Sequence, residues 1–187
     1  GTPVIFRRNG LVYAAIPAGD AGNKMISVTY GTISETLNLT IKAAKTSGHF
    51  KKESELRGDL NGILSELGTL IAEKTAESTD NGITPTGRFI DPQGNGATRI
   101  FGYGDKLTVG SNDAVTLPFE LYRGIRDIGV TASGTVREIG THTLLGNYVI
   151  LDHGCGLATW YCGLSEVRVA AGDILAAGDV IGLAGTG

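Results

Sequence analysis

The sequence lacks several features that would place it in common classes of protein. No stretch approaches the roughly 18 apolar residues of a membrane span, and the start, GTPVIFRRNG, has no charged segment followed by an apolar signal core. The 16 Lys and Arg residues against 19 Asp and Glu give a formal charge of −3, which leaves no broad basic surface for phosphates. We therefore expect neither nucleic-acid binding nor a membrane span in this chain.

Cysteine is also scarce, and its spacing argues against a disulfide. Cys155 lies in a GCG turn and Cys162 lies seven residues further on, along the strand predicted to follow. At about 3.3 Å per residue the two are on the order of 20 Å apart, whereas a disulfide needs a Cα separation of about 7 Å or less. We expect two small, buried, free thiols.

Glycine, in contrast, is abundant, and the apolar fraction is high enough for a packed core. The 29 glycines and 41% hydrophobic residues favour short strands joined by tight turns over a helical bundle. The repeat AAGDIL (170–175) and AAGDVI (176–181) has too few copies for a solenoid and predicts two turns of one sheet.

Three regions follow one another along the chain. Four short runs, VIF, LVYAAI, MISVTY and LNLTI, are separated by NG, AGDAGN and YGT and predict an accessory β domain over residues 1–48. Residues 49–87 are predicted to form a connector, in which apolar residues recur every three or four positions between Lys51 and Glu77 and STDNGITPTG (78–87) is a linker. Short strands return over residues 88–187. The expected fold class is mainly β, with an amphipathic helical connector and a C-terminal antiparallel β domain.

Residues 134–187 carry a series of ordered motifs. They comprise a G-x-V strand, then GN-x-V-x-x-x-HG-x-G, T-x-Y-x-x-LS and V-x-x-GD-x-x-x-x-G-x-x-IG. In these motifs the chain resembles the lysostaphin/LytM-type zinc endopeptidases, which cut bacterial peptidoglycan. The resemblance implies a LytM-like fold for residues 88–187 and a location in the bacterial cell envelope or outside the cytoplasm.

The chemistry of that family implies a zinc ion held by two histidines and an aspartate, with further histidines assisting a metal-bound water. Tyr122 or Arg123 stands at the first ligand position, and Asp127 matches the aspartate ligand, although Arg126 adds one residue to the spacing. Gly163 replaces the assisting histidine, and the family's last motif, H-x-H, does not occur in this sequence. Tyrosine is a poor zinc ligand because its phenol pKa of about 10 must first be overcome.

From these substitutions we expect a degenerate peptidase fold with no cofactor and no intact catalytic set, in which Asp127 is a relic or a weak metal candidate. The implied partner is peptidoglycan, a cell-wall hydrolase or another envelope protein. Tyr122, Trp160, Tyr161 and His153 are the candidates for lining the old substrate groove. The alternative for the aromatic residues is the core of the sheet, and the alternative for His153, favoured by the resemblance, is a packing role.

Two other functions share part of this sequence pattern. An active zinc-dependent peptidoglycan endopeptidase of the glycyl-glycine type would need its missing ligands to lie outside this sequence. Lipoyl and biotinyl carrier domains share the V-x-x-GD pattern but attach their cofactor to a lysine, and no lysine follows Lys106. The carrier function is therefore excluded by its own chemistry.

Overall fold

The computed structural model describes residues 4–8, 11–15, 21–42, 46–50, 60–76, 89–92, 98–102, 105–109, 115–116, 120–123, 127–154 and 157–185. In chain order, the first elements of these ranges are β1 (Val4–Arg8), β2 (Leu11–Ala15), β3 (Gly22–Tyr30), β4 (Ile33–Ile41), β5 (Thr46–Phe50) and α1 (Leu60–Ala76). Short strands follow: β6 (Thr98–Phe101), β7 (Lys106–Val109), β8 (Val115–Thr116), β9 (Leu121–Arg123) and β10 (Asp127–Gly129). The last strands are β11 (Gly134–His142), β12 (Gly146–Asp152), β13 (Ala158–Val167), β14 (Ile174–Leu175) and β15 (Val180–Ala184). The predicted mainly-β class is confirmed.

The chain divides into two compact units. One contains Gly1–Leu56 and Arg99–Leu121, and the other contains Arg57–Thr98 and Tyr122–Gly187. The sequence placed residues 99–121 with the C-terminal strands, whereas the structure groups them with the N-terminal ones, where β5 pairs in parallel with β7 and β7 pairs with β8. Membership of a compact unit does not establish which segments fold alone. The predicted domain boundaries after residues 48 and 87 therefore stay a prediction.

The N-terminal unit contains two antiparallel hairpins, β1–β2 and β3–β4. In the second hairpin the strands pair without interruption from Gly22 opposite Ile41 to Tyr30 opposite Ile33. Successive side chains of each strand therefore point to opposite faces of the hairpin. One face carries a ladder of hydrogen bonds between side chains: Ser27 with Thr36 at 3.2 Å, Thr29 with Ser34 at 3.1 Å, and Thr40 donating to Asn23 at 2.9 Å. The other face carries Ile33 and Leu37, which are exposed.

The second unit is built on a six-stranded sheet in the order β10-β15-β13-β12-β11-β14, in which all neighbours are antiparallel. Residues 148–152 of the inner strand β12 are all buried, which shows that both faces of this strand are covered. The core cluster on one side consists of Ile128, Val130, Val136, Val149, Leu151, Tyr161, Leu164 and Ile181. Apart from Val130, which directly follows β10, these residues come from β10, β11, β12, β13 and β15, so the core holds the curled sheet together.

The helix α1 belongs to the same unit and is tied to β11 by polar contacts. The ammonium group of Lys74 lies 2.9 Å from the Glu138 carboxylate, and Arg137 donates a hydrogen bond of 2.8 Å to the carbonyl oxygen of Lys74. Near the other end of β11, the His142 Nε2 atom lies 3.6 Å from the Glu66 carboxylate. The predicted helix is confirmed over Leu60–Ala76, where Leu67 is buried. The rest of its predicted span and the linker at 78–87 lie outside the described residues.

The repeated AAGD sequence forms the same turn twice. In each copy the aspartate side chain accepts a hydrogen bond of 2.8 Å from the backbone N–H of the first alanine, Asp173 from Ala170 and Asp179 from Ala176. The glycines of both copies have a φ of 93°, a left-handed conformation that glycine adopts without steric cost. The prediction of two turns of one sheet is confirmed.

Candidate functional site

Asp127, the residue that matches the family's aspartate ligand, lies on the edge strand β10. It pairs with Leu183 on β15, and Leu183 pairs in turn with Glu166 on β13, so the three residues form a row across three strands. Arg168, just beyond β13, donates a hydrogen bond of 2.8 Å from Nη1 to Asp127 Oδ1 and one of 2.9 Å from Nε to Glu166 Oε1. The ligand candidate is therefore already bound to a side-chain cation.

The charges of this group support one another. The hydrogen bond from Arg168 and its positive charge lower the pKa of Glu166, and the hydrogen bond to Glu166 raises the pKa of Arg168. The carboxylate and the guanidinium are thus both charged at neutral pH. All three side chains are solvent-exposed, at 58% for Asp127, 53% for Glu166 and 40% for Arg168, so this ion group can be reached from solution.

Gly163, at the position of the assisting histidine, interrupts β13 with a left-handed backbone. Its φ is 69°, its N–H donates to the carbonyl oxygen of Leu145 at 2.7 Å, and its own carbonyl accepts from Gly185 at 2.8 Å. A Cβ added at Gly163 would meet no atom within 4 Å. The space for a side chain exists there, but the backbone conformation is one that side chains with a Cβ rarely adopt.

Tyr122, one of the two residues at the first ligand position, is half-buried and belongs to a different sheet. Tyr122 and Arg123 both lie on β9, and β9 pairs with β6. Neither residue is therefore on the strands that carry Asp127 and Gly163.

His153 lies at the end of β12 and is fully buried. Its Nδ1 atom is 2.7 Å from the carbonyl oxygen of Ser133 and must donate to it, and its Nε2 atom is 2.8 Å from the Thr159 hydroxyl. The Tyr161 hydroxyl lies 3.1 Å from that of Thr159 and accepts a hydrogen bond of 2.8 Å from the backbone N–H of Thr131. Burial lowers the pKa of His153, although the Ser133 carbonyl and the charge of Asp152 oppose this shift. The neutral imidazole joins the loop before β11 to β13.

Trp160 lies on the opposite face of the sheet from Tyr161, because successive residues of a strand point to opposite sides. Its ring stacks on that of Tyr148, with centroids 6.3 Å apart. Tyr148 donates a hydrogen bond of 2.6 Å to Glu138, the residue that pairs with Lys74 of α1. The four groove candidates are thus not brought together: Tyr161 and His153 belong to one buried network, Trp160 to the other face, and Tyr122 to another sheet.

Cys162, next to Trp160, is a free cysteine. The expectation that this residue is buried is wrong, because β13 presents it at the surface of the sheet. Enough protein still surrounds the thiol for burial to raise its pKa to about 11. The thiol is therefore protonated at neutral pH and a weak nucleophile. Cys155 lies outside the described residues.

The side chains of the described residues do not form a site for the zinc ion that the family resemblance implies. No three His, Cys, Asp or Glu residues in the described ranges are grouped so that they could hold a metal ion. A catalytic zinc site takes three protein ligands and leaves one position open for water. Within the described residues Asp127 is the single matching ligand, Arg168 binds its carboxylate, and Gly163 offers no side chain.

Arg168 and Glu166 are the site residues that sequence reasoning missed. The signal was the alternation E-V-R in Glu166–Val167–Arg168, which places an acid and a base on the same face of an extended chain. The pairing of that face with Asp127, 41 residues earlier, depends on the sheet order and has no local signature.

Comparison with known proteins bears on the same part of the chain. Residues 121–187 match peptidase family M23. These residues form a domain of the LytM type. The fold is similar to the crystal structure of a Pseudomonas aeruginosa protein described as a candidate peptidase M23, with a TM-score of 0.55 and 20% sequence identity over 98% of this chain and 72% of that one. No curated protein matches the chain.

The LytM-type domain comprises β10 to β15 together with β9, and so includes Asp127, Gly163 and the buried network around His153. Within the part of the chain that the structure describes, no helix is long and apolar enough to cross a membrane.

Proposed function

We propose that the LytM-type domain of this chain is a non-catalytic module of the bacterial cell envelope that binds peptidoglycan. The observation that carries the proposal is Gly163, which stands where the family has a proton-transferring histidine and has a left-handed backbone, with a φ of 69°. A glycine cannot move a proton, and a histidine placed on this backbone would be strained.

Without the assisting histidine and the metal ion, the expected loss in the rate of hydrolysis is large. General acid–base assistance contributes about 100- to 10,000-fold to a rate, and a metal ion adds both a Lewis acid and an activated water. With Gly163 in place of the base and Asp127 bound to Arg168, both contributions are missing from the described residues. We therefore expect no hydrolysis of peptidoglycan.

The binding role is supported by what the domain keeps. Its core is intact, since Val130, Val149, Leu151 and Ile181 are fully buried. The fold is therefore kept even where the catalytic residues of the family are replaced. Half-buried aromatic residues, Tyr122 and Trp160, offer apolar surface that sugar rings or peptide side chains can pack on. A cell-wall hydrolase or another envelope protein is the other class of partner that the resemblance implies, and the binding test separates the two.

The test of catalysis measures metal and hydrolysis on the same protein. We expect no stoichiometric zinc after dialysis and no release of fragments from purified sacculi or from glycine-rich peptides. Gly163→His should not restore hydrolysis, because the strained backbone and the missing ligands remain. About one zinc per chain, with hydrolysis that a chelator abolishes, would establish the active endopeptidase instead.

The test of binding uses sedimentation with purified sacculi. Trp160→Ala and Tyr122→Ala should each reduce the sedimented fraction, whereas Ile174→Ala, which removes an apolar side chain that is 80% exposed on the same domain, should not. Thermal unfolding of each variant shows whether the fold is kept. If the folded double variant sediments like the parent protein, the aromatic residues do not bind peptidoglycan. If the parent protein does not sediment at all, an envelope protein becomes the better candidate.

A further inference from the structure

Arg168 bridges two carboxylates through three of its N–H groups. Its Nη1 atom donates to Asp127, its Nε atom donates to Glu166, and its Nη2 atom lies 3.5 Å from the second Glu166 oxygen. The guanidinium is planar and permanently charged, so it suits the role of a fixed cation between two acids. A lysine would present a single point charge instead.

The position of this bridge in the sheet makes it more than a chance surface pair. Asp127 and Glu166 lie on either side of Leu183, on β10 and β13, which are separated by β15. One side chain therefore links two strands that make no hydrogen bonds to each other in the sheet order. The bridge meets Asp127, the residue that matches the family's aspartate ligand.

We propose that Arg168 replaces a metal ion as the cation bound by Asp127, and that this resident charge keeps divalent cations away from the Asp127–Glu166 pair. The two carboxylates share the one guanidinium, which supplies a positive charge from within the chain. The proposal builds on the non-catalytic function above and gives a physical reason for the loss of metal. It concerns metal affinity rather than stability, because exposed ion pairs contribute little to folding.

The experiment removes the charge of Arg168 and measures metal binding directly. Mn²⁺ is the probe, since carboxylate oxygens suit it, and the amplitude of its free-ion electron paramagnetic resonance signal reports the unbound fraction. Arg168→Gln should bind Mn²⁺ about tenfold more tightly than the parent protein, because a unit charge about 5 Å from a divalent ion in an exposed site is worth about that much. Arg168→Lys is the matched control and should bind like the parent, since it keeps the charge.

A second variant locates the new affinity. Adding Asp127→Asn to Arg168→Gln should return Mn²⁺ binding to the parent level, because the pair of carboxylates is then broken. If Arg168→Gln binds no tighter than the parent, or if the gain survives Asp127→Asn, Arg168 is not the replacement cation. Such a result in a parent protein that is free of zinc leaves the non-catalytic function standing. Stoichiometric zinc in the parent would instead overturn both proposals.

Discussion

The six-stranded sheet and the β3–β4 hairpin use similar strand residues in opposite ways. In the sheet, Val149, Leu151 and Ile181 are completely buried. In the hairpin, Ile33 is 65% exposed and Leu37 is 54% exposed, although both lie on regularly paired strands. The backbone pairing is equally regular in the two places, and the difference lies in whether a second layer covers the strands.

This difference shows which interactions maintain the LytM-type fold. A two-stranded hairpin is only marginally stable by itself. The free energy gained from the hydrogen bonds between its strands is largely offset by the conformational entropy lost in ordering them. The curled sheet also buries apolar side chains on one of its sides. Each Å² of apolar surface buried in this way stabilises the fold by about 25 cal/mol. Burial therefore stabilises the sheet more than it stabilises the hairpin.

The largest expected effect is in the core. Leu151→Ala should lower the free energy of unfolding by about 2–5 kcal/mol, because it removes a fully buried side chain and leaves a cavity. The fluorescence of Trp160, the one tryptophan of the chain, reports the unfolding of this sheet in urea. A loss below about 1 kcal/mol would mean that the site collapses around the smaller residue and that the sheet is less tightly packed than its burial indicates.

The hydrogen bond between Tyr148 and Glu138, beside the contact of Glu138 with Lys74 of α1, should give the next largest effect. Burial alone would raise the pKa of Glu138, but hydrogen bonds with Tyr148 and Lys74 and the charges of Lys74 and Arg137 lower it overall. Tyr148→Phe removes one of these hydrogen bonds to a charged group and should cost about 1.5–3 kcal/mol. Urea unfolding measures the loss, and in a Glu138→Gln background the same change should cost clearly less.

The buried histidine predicts how the sheet depends on pH. Because burial lowers the pKa of His153 in the folded protein, the unfolded chain takes up the proton first as pH falls below about 6.5. Stability should be fully present above that pH and decline below it by up to about 1.4 kcal/mol per pH unit. His153→Gln should flatten the profile between pH 7.5 and 5.5. An equally steep decline in that variant would assign the pH dependence to other groups.

The hairpin should give the smallest effect. Leu37→Ala is the matched partner of Leu151→Ala, and we expect a change within about 0.5 kcal/mol, since the side chain is already mostly in water. The Trp160 transition should not move at all. A cost above about 1 kcal/mol would show that the apolar face of the hairpin is covered in solution, which would remove the contrast between the two regions.

Local patterns were enough to predict most of the fold. The strands β3 and β4, the twin AAGD turns and the central part of the helix follow from alternation, turn residues and apolar spacing within a few residues. The fold of residues 134–187 was predicted from the family motifs. The association of residues 99–121 with the N-terminal strands was not predicted. It depends on the parallel pairing of β5 with β7, more than 50 residues apart, and parallel strands leave no turn in the sequence to mark them.

The site was less predictable than the fold. The family motifs pointed to Asp127 and Gly163, but they could not show that Arg168 binds the aspartate or that Gly163 has a left-handed backbone. The groove candidates are aromatic residues and a histidine near the family motifs. Because successive residues of a strand point to opposite faces, neighbours such as Trp160 and Tyr161 lie on different sides of the sheet. Which face each one points to depends on the register and its bulges, such as the shift between Asn147 and Tyr148.

The contact of α1 with β11 sets where the LytM-type region can be cut for expression as a fragment. A fragment that begins at residue 88, where sequence motifs alone would start it, lacks Lys74 and so leaves Glu138 without its ammonium partner. It also leaves Arg137 without the carbonyl oxygen that it binds, although two other nitrogens of that side chain are already buried without a partner. A fragment that begins before residue 60 keeps these contacts. The shortest fragment that keeps these contacts is therefore defined by a helix that the peptidase family match, at residues 121–187, does not include.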